Sequence, residues 1–214
     1  MDLFLATTLG TAAGAVAGLA GRYLLAHLRR GAVVHSGWLA GSLAALWAVL
    51  AWRVASGHLP AWWLPIPVAL TWFAVLLAAV DLCHNRLPNA LTLPAYPAMA
   101  TATVTAAALA PDWSIPVRAA AGAVVFATLH AMVHLTSPES LGAGDVKLSG
   151  SVGAALAAAG WPALLLAAII AALVTLLLAA MTQSRSRDSI PHGPGLLTAT
   201  TLFTMFPTTA VTSP

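Results

Sequence analysis

Charged side chains are so sparse in this chain that long stretches pass without any group that requires water. Asp, Glu, Lys and Arg make up 7% of the sequence and hydrophobic residues 60%, whereas soluble domains carry about 25% charged residues. Nine basic and six acidic side chains could not cover the surface of a water-soluble fold of 214 residues. The bilayer is the natural solvent for such a chain. A spanning helix needs about 20 apolar residues, within a range of about 17 to 25. Reading between charges and Pro/Gly breaks gives candidate spans at 3–20, 38–56, 61–80, 90–110, 116–136, 146–160, 162–181 and 193–211. The sixth is short and rich in Gly and Ala, the fourth begins with Pro94 and Pro97, and the eighth is rich in Thr. The expected fold is therefore all-α, a polytopic transmembrane bundle of about eight spans (six to eight). No second domain, internal repeat or low-complexity tract is visible, so residues 1–214 read as one integral membrane domain.

The net charge of +3 would point to nucleic acid in a soluble protein. Here no basic run is long enough to follow a phosphate backbone, and cationic cytoplasmic loops account for the excess. With the N-terminus outside, the inner loops hold Arg22, Arg29, Arg30, Arg86, Lys147, Arg185 and Arg187, leaving only Arg53 and Arg118 outside. Trp52, Trp62, Trp63, Trp113 and Trp161 fall near the expected outer ends, as interfacial anchors do. The first segment lacks a positive leader region and an Ala-x-Ala site, and is expected to be a retained helix. Cys83 is the sole cysteine, which leaves no intramolecular disulfide and no thiolate cluster for zinc.

The acids narrow the chemistry. Asp2 and Asp112 fall in an outer tail and turn, and Asp188 sits beside Arg185 and Arg187 in a polar inner loop. Asp81 instead ends the apolar run that begins at Trp72, where an ionisable group is costly unless it is paired, hydrated or functional. Asp145 lies in Leu141-Gly-Ala-Gly-Asp-Val-Lys-Leu148, just ahead of an Ala-rich segment. Gly142 and Gly144 there permit positive φ and close backbone approach, and a helix starting here would set the carboxylate near its positive end. Taken singly, Asp81 also reads as a helix-end carboxylate and Asp145 as an ordinary N-cap. Together they fall at the same membrane face. Two carboxylates that approach closely cannot both ionise. The ionised one can accept a proton from water while the protonated one polarises a carbonyl. That is sufficient for peptide hydrolysis, and it calls for no metal and no cofactor.

Three stretches carry a family resemblance. Asp81 followed by Arg86-Leu87-Pro88-Asn89-Ala90-Leu91-Thr92 resembles the first aspartate motif of the type IV prepilin peptidases, membrane-embedded aspartyl peptidases of the Gly-x-Gly-Asp type. Gly142-Ala-Gly-Asp-Val-Lys-Leu148 is similar to their second motif at every fixed position, and Ile190-Pro191-His192-Gly193-Pro194 resembles the opening of their last helix. The separation of 64 residues between Asp81 and Asp145 also suits the family, and the likeness covers roughly residues 37–211. The resemblance implies that Asp81 and Asp145 are catalytic. It makes Gly142, Gly144, Lys147, Pro88, Asn89, Pro191, Gly193 and Pro194 candidates for binding substrate or shaping the site. It also implies that a basic leader is cut from type IV prepilins, pseudopilins or Flp/Tad-type pilin precursors, at the cytoplasmic side of the inner (plasma) membrane. Many bacterial members carry an N-terminal insert with paired Cys-x-x-Cys motifs and methylate the new pilin N-terminus. With one cysteine and a short loop from Gly21 to Gly37, this sequence resembles the shorter members that lack the insert.

Other residues read more plainly. Lys147 serves either the aspartate or the membrane surface, and Glu139 reads as a loop acid. His130 and His134 share a helix face at i, i+4, but no Glu follows His130, so the His-Glu-x-x-His zinc pattern is absent. Hydrogen-bonded interior histidines are expected. Cys83 reads as a small buried or interfacial residue. The alternative from another class is a proton-coupled transporter or channel, which also uses intramembrane acids; it predicts inverted repeats and acids at mid-membrane, and the sequence displays neither.

Overall fold

The computed structural model describes residues 2–28, 36–84, 87–136, 141–182 and 193–207. Among these residues the fold is all-α: α1 (Leu3–His27), α2 (Ser36–Ala55), a 3-10 turn (Ala61–Trp63), α3 (Pro65–His84), α4 (Asn89–Leu109), α5 (Ser114–Thr136), α6 (Ala143–Ala159), α7 (Trp161–Thr182) and α8 (Gly193–Met205). Every expected span is a helix, with shifted ends. α1 continues through Gly21 and Arg22 to His27, where the sequence reading had a loop. At 25 residues it is about 37 Å long, more than the roughly 30 Å of bilayer hydrocarbon. The third span starts late because residues 61–63 form the 3-10 turn, and it runs past Asp81 to His84.

Among the described residues four helices are both long and apolar enough to cross a membrane: Leu3–His27, Gly37–Ala55, Pro65–His84 and Ser114–Thr136. Three of the others fall short for local reasons. α4 is diluted by Thr, Pro94 and Pro97, α6 has 17 residues and carries Asp145 and Lys147, and α8 has 13. They are carried by the bundle around them.

Burial separates the helices into two kinds. Within its apolar window α3 is 61% buried, while α1, α2 and α5 are each 17% buried. α6 is buried at every residue from Leu148 to Ala159. α3 and α6 thus form the interior, and the exposed apolar faces of α1, α2 and α5 meet the lipid. Small residues make α6 buriable. Gly122 of α5 and Gly153 of α6 cross so closely that a Cβ on Gly153 would stand 2.5 Å from the Gly122 carbonyl oxygen and from Phe126 Cβ. Close backbone approach through small residues is how helices gain packing contacts in lipid. α1 and α2 pair in the same way: a Cβ on Gly10 would meet the Trp47 carbonyl at 2.6 Å, and one on Gly18 would meet Ala40 Cα at 2.5 Å.

Polar groups inside the bundle are satisfied locally. The buried hydroxyls of Thr71, Thr92, Thr103, Thr200 and Thr204 each donate to the carbonyl four residues back, which is the available partner where water is absent. Three indoles bridge elements: Trp72 Nε1 donates to the Ala17 carbonyl (3.1 Å), Trp47 Nε1 to Thr71 Oγ1 (3.0 Å) and Trp63 Nε1 to the Thr204 carbonyl (2.8 Å). Trp63 is therefore a buried tie to α8 and not the interfacial anchor the sequence reading made it, whereas Trp52, Trp113 and Trp161 are exposed.

The order of these contacts gives direction. Ala17 meets Trp72 and Gly21 meets Leu76, so α1 and α3 run parallel and Arg22 lies toward the Asp81 end. Arg53 donates to the His58 carbonyl and covers the Phe206 ring at 4.3 Å, and Arg118 reaches the Ala158 carbonyl. These two guanidiniums sit at the opposite end, Arg53 in the last turn of α2 and Arg118 near the start of α5. Arg29, Arg30, Arg86, Arg185 and Arg187 lie outside the described residues.

Gly153→Val is expected to force α5 and α6 apart and to destabilise the bundle by about 1–3 kcal/mol, measured as a lower unfolding midpoint in detergent. Gly41→Ala, where an added Cβ meets nothing within 4 Å, is expected to hold or raise that midpoint.

Candidate active site

The two helices that form the interior also carry the two aspartates. Asp81 lies in the last turn of α3 and is 6% exposed, the one acid among the buried side chains. Asp145 lies in the first turn of α6 and is half-buried. α4 packs between these helices and begins five residues after His84, so the end of α3 and the starts of α4 and α6 meet at one end of the bundle. There Asp81 and Asp145 come within electrostatic reach of each other.

The Gly-x-Gly-Asp stretch folds as a helix start. Gly142 is the N-cap at φ −67° and Asp145 is the third helical residue. The Asp145 N–H donates to the Gly142 carbonyl at 3.0 Å, and the Asp145 carboxylate turns back toward Gly142, its Oδ2 3.4 Å from where a Cβ there would stand. The acid thus holds the third helical position and faces back toward the N-cap, where an acid suits the positive end of the helix. The N-cap reading of Asp145 is thereby corrected by three residues. Of the two uses the sequence reading offered these glycines, positive φ is not the one taken: among the described residues the positive-φ glycines are Gly57 and Gly160. Gly144 serves close approach instead. A Cβ there would stand 2.9 Å from Leu87 Cβ, so its absence lets the α3–α4 connection lie against the first turn of α6.

A second tie joins the first two motifs. Lys147 Nζ donates to Asn89 Oδ1 at 2.9 Å, linking α6 to the first turn of α4. Lys147 is thus occupied by an amide, a partner the sequence reading did not assign. Pro88 is the buried N-cap of α4, where a missing N–H costs nothing, and its carbonyl accepts the N–H groups of Leu91 and Thr92. Farther along the same helices the Tyr96 phenol occupies the space a Cβ on Gly150 would need. Neither Leu87 nor Tyr96 stands out in the sequence, because packing against a glycine leaves no pattern there.

The remaining candidates fall elsewhere. Gly193 and Pro194 open α8, and Pro191, His192, Glu139 and Arg86 lie outside the described residues. Cys83 is exposed, because α3 carries it past the packed face that buries Asp81; the buried reading is corrected. His130 Nδ1 bonds the Phe126 carbonyl (2.9 Å) and its ring stacks obliquely on Phe126, while His134 Nδ1 bonds the Leu141 carbonyl (2.7 Å). Among the described residues no group of three His, Cys, Asp or Glu side chains is placed to hold a metal.

Fold and site together define a polytopic helical membrane protein with an aspartate pair at one end of its interior helices. The sequence model of the Type IV leader peptidase family matches residues 68–179, from α3 through most of α7. The chain belongs to that family. It is 32% identical over 159 residues to a prepilin leader peptidase/N-methyltransferase of Aeromonas hydrophila, covering 72% of this chain and 53% of the relative. It is 33% identical, with the same coverage, to the protein of that name from Aeromonas salmonicida strain A449. The chain thus spans about half the length of these curated relatives. No solved structure matches it.

Gly144→Val and Leu87→Ala are expected to be coupled. The first alone should lower the unfolding midpoint, and the second in the same chain should recover part of the loss. A double-mutant cycle should give a coupling of about 0.5–3 kcal/mol.

Proposed function

We propose that this chain is a membrane-embedded aspartyl endopeptidase that removes the leader from type IV prepilins, pseudopilins or Flp/Tad-type pilin precursors. The meeting of Asp81 and Asp145 at one end of the bundle carries this reading. They come from helices 64 residues apart in sequence, and a chain of six acids would not bring two together in its interior for packing alone. Family membership and the names of the Aeromonas relatives support the same activity.

In the proposed reaction one carboxylate is ionised and takes a proton from water as the water oxygen attacks the scissile carbonyl carbon. The other, protonated, donates to the carbonyl oxygen and so stabilises the tetrahedral intermediate. Collapse breaks the C–N bond, the leaving amine takes a proton, and the pair returns to its starting state. The Asp81 surroundings are apolar and buried, which strengthens both proton transfers by excluding bulk water. Pro88, Asn89, Lys147, Gly142 and Gly144 shape the rim of this site, with Gly193 and Pro194 contributing from the start of α8 and Pro191 carried by the motif resemblance alone. The inner membrane is the proposed location, with the site facing the cytoplasm and the N-terminus outside, as the positive-inside bias of the loops supports. The prepilin helix enters from the bilayer. The transporter alternative draws on the same acids and has no second line of support.

Co-expression of a candidate prepilin with wild type, Asp81→Asn or Asp145→Asn tests the reading. Each near-isosteric change should leave the protein in the membrane and slow leader removal by at least about 10²–10⁴-fold, read as loss of the gel shift. Cleavage by both variants at the wild-type rate would exclude the aspartyl mechanism.

A further inference from the structure

The peptide unit between Leu141 and Gly142 has a polar neighbour on both sides. Its Gly142 end lies against the Asp145 carboxylate, whose Oδ2 stands 3.4 Å from where a Cβ on Gly142 would be. Its C=O accepts from His134 Nδ1 at 2.7 Å, across seven residues of sequence. A carbonyl oxygen can only accept, so Nδ1 of His134 carries the proton. A peptide unit is planar and its C=O and N–H point in opposite directions. Fixing the direction of the Leu141 carbonyl therefore fixes the orientation of the Gly142 end that meets Asp145.

We propose that His134 is a positioning residue for Asp145, acting through the Leu141–Gly142 peptide plane. The inference rests on the peptidase reading of Asp145 but not on the identity of the substrate. Its surroundings suit the role. His134 lies in the last turn of α5, the helix locked to α6 through Gly122 and Gly153, so the ring is held by the same rigid pair that holds Asp145. Leu141 is buried, and its carbonyl has this ring as its partner where a water-filled loop would offer solvent. The bond orients the Gly142 end against the carboxylate without touching substrate. Rotation of the unfastened peptide would shift the Gly142 end and let the Asp145 side chain leave its position facing Asp81. Small displacements of a reacting group are expensive in rate: about 1 Å can cost a hundredfold.

The choice of substitutions separates positioning from chemistry. In His134→Asn the side-chain amide N–H can stand where Nδ1–H stood, but the residue can neither exchange a proton near neutral pH nor serve as an imidazole ligand. In His134→Leu the donor is gone and the bulk is kept. Purified protein in lipid vesicles, given a prepilin at varied concentration, should lose about tenfold to a hundredfold in kcat with Leu, with KM unchanged, and recover most of it with Asn. Equal activity in all three forms would overturn the proposal. Loss with both substitutions would also overturn it, in favour of a chemical role for the ring.

A second readout needs no substrate. Spin labels on the native Cys83, two residues past Asp81, and on Ala143→Cys, two before Asp145, report the separation of the α3 and α6 ends. Both positions are exposed. A distance distribution that broadens with His134→Leu and stays narrow with His134→Asn supports positioning. An unchanged distribution in both contradicts it. If wild type cleaves no prepilin, the peptidase reading fails, and these distances still decide the role of His134.

Discussion

A carboxylate that is almost fully enclosed, in a chain with almost no other charge to neutralise it, sets the terms for the rest of this structure. Asp81 is 6% exposed, and no cation among the described residues of its own helix accompanies it. A lone charge in that position is expensive in a membrane protein. What it has instead is Asp145, brought within electrostatic reach from α6. In the proposed peptidase the two acids share one proton, so that the pair carries a single charge. Most of the architecture serves that meeting. α6 must be buried for Asp145 to reach Asp81, and from Leu148 to Ala159 it is mostly Gly, Ser and Ala. α5 must approach closely to cover it, which Gly122 and Gly153 allow. Gly144 admits Leu87, and Lys147 holds Asn89, so the α3–α4 connection is pinned against the first turn of α6 from two sides.

Helical content and the approximate spans were legible because an absence of charge over about 20 residues has one stable solution in lipid. The ends were less so. α1 overran Gly21 and Arg22 because a helix backbone already satisfied inside the membrane has no reason to stop at the interface when Gly21 and Leu25 still pack on the core. The third span began late because Pro60 and Pro65 bracket a 3-10 turn whose Trp63 is drawn inward by the Thr204 carbonyl. Interface aromatics and core aromatics share a composition, so Trp63 could not be told from Trp52 in the sequence.

The site was legible where it rests on residue type and opaque where it rests on shape. Asp81 and Asp145 stood out as acids at the ends of apolar runs. Gly142 and Gly144 were recognisable as special; of the two reasons read from the sequence, positive φ was wrong and close approach was right at Gly144, while the N-cap role of Gly142 was not read. Lys147 has as its partner Asn89, 58 residues away, and no local pattern announces such a contact. His134 drew notice only as half of an i, i+4 pair. Its bond to Leu141 depends on how α5 and α6 fold back on each other, which is tertiary information.

The central claim is that Asp81 and Asp145 act as one unit, and the most direct measure of that is additivity. Leader cleavage would be timed in vesicles for wild type, for each Asn variant and for the double variant, all at matched protein. Groups that share one proton relay lose their function together, so removing the second costs little once the first is gone. The account predicts that the double variant is no slower than the slower single one. A double variant slowed by the product of the two separate losses would mean that the aspartates act independently, and would contradict the pair.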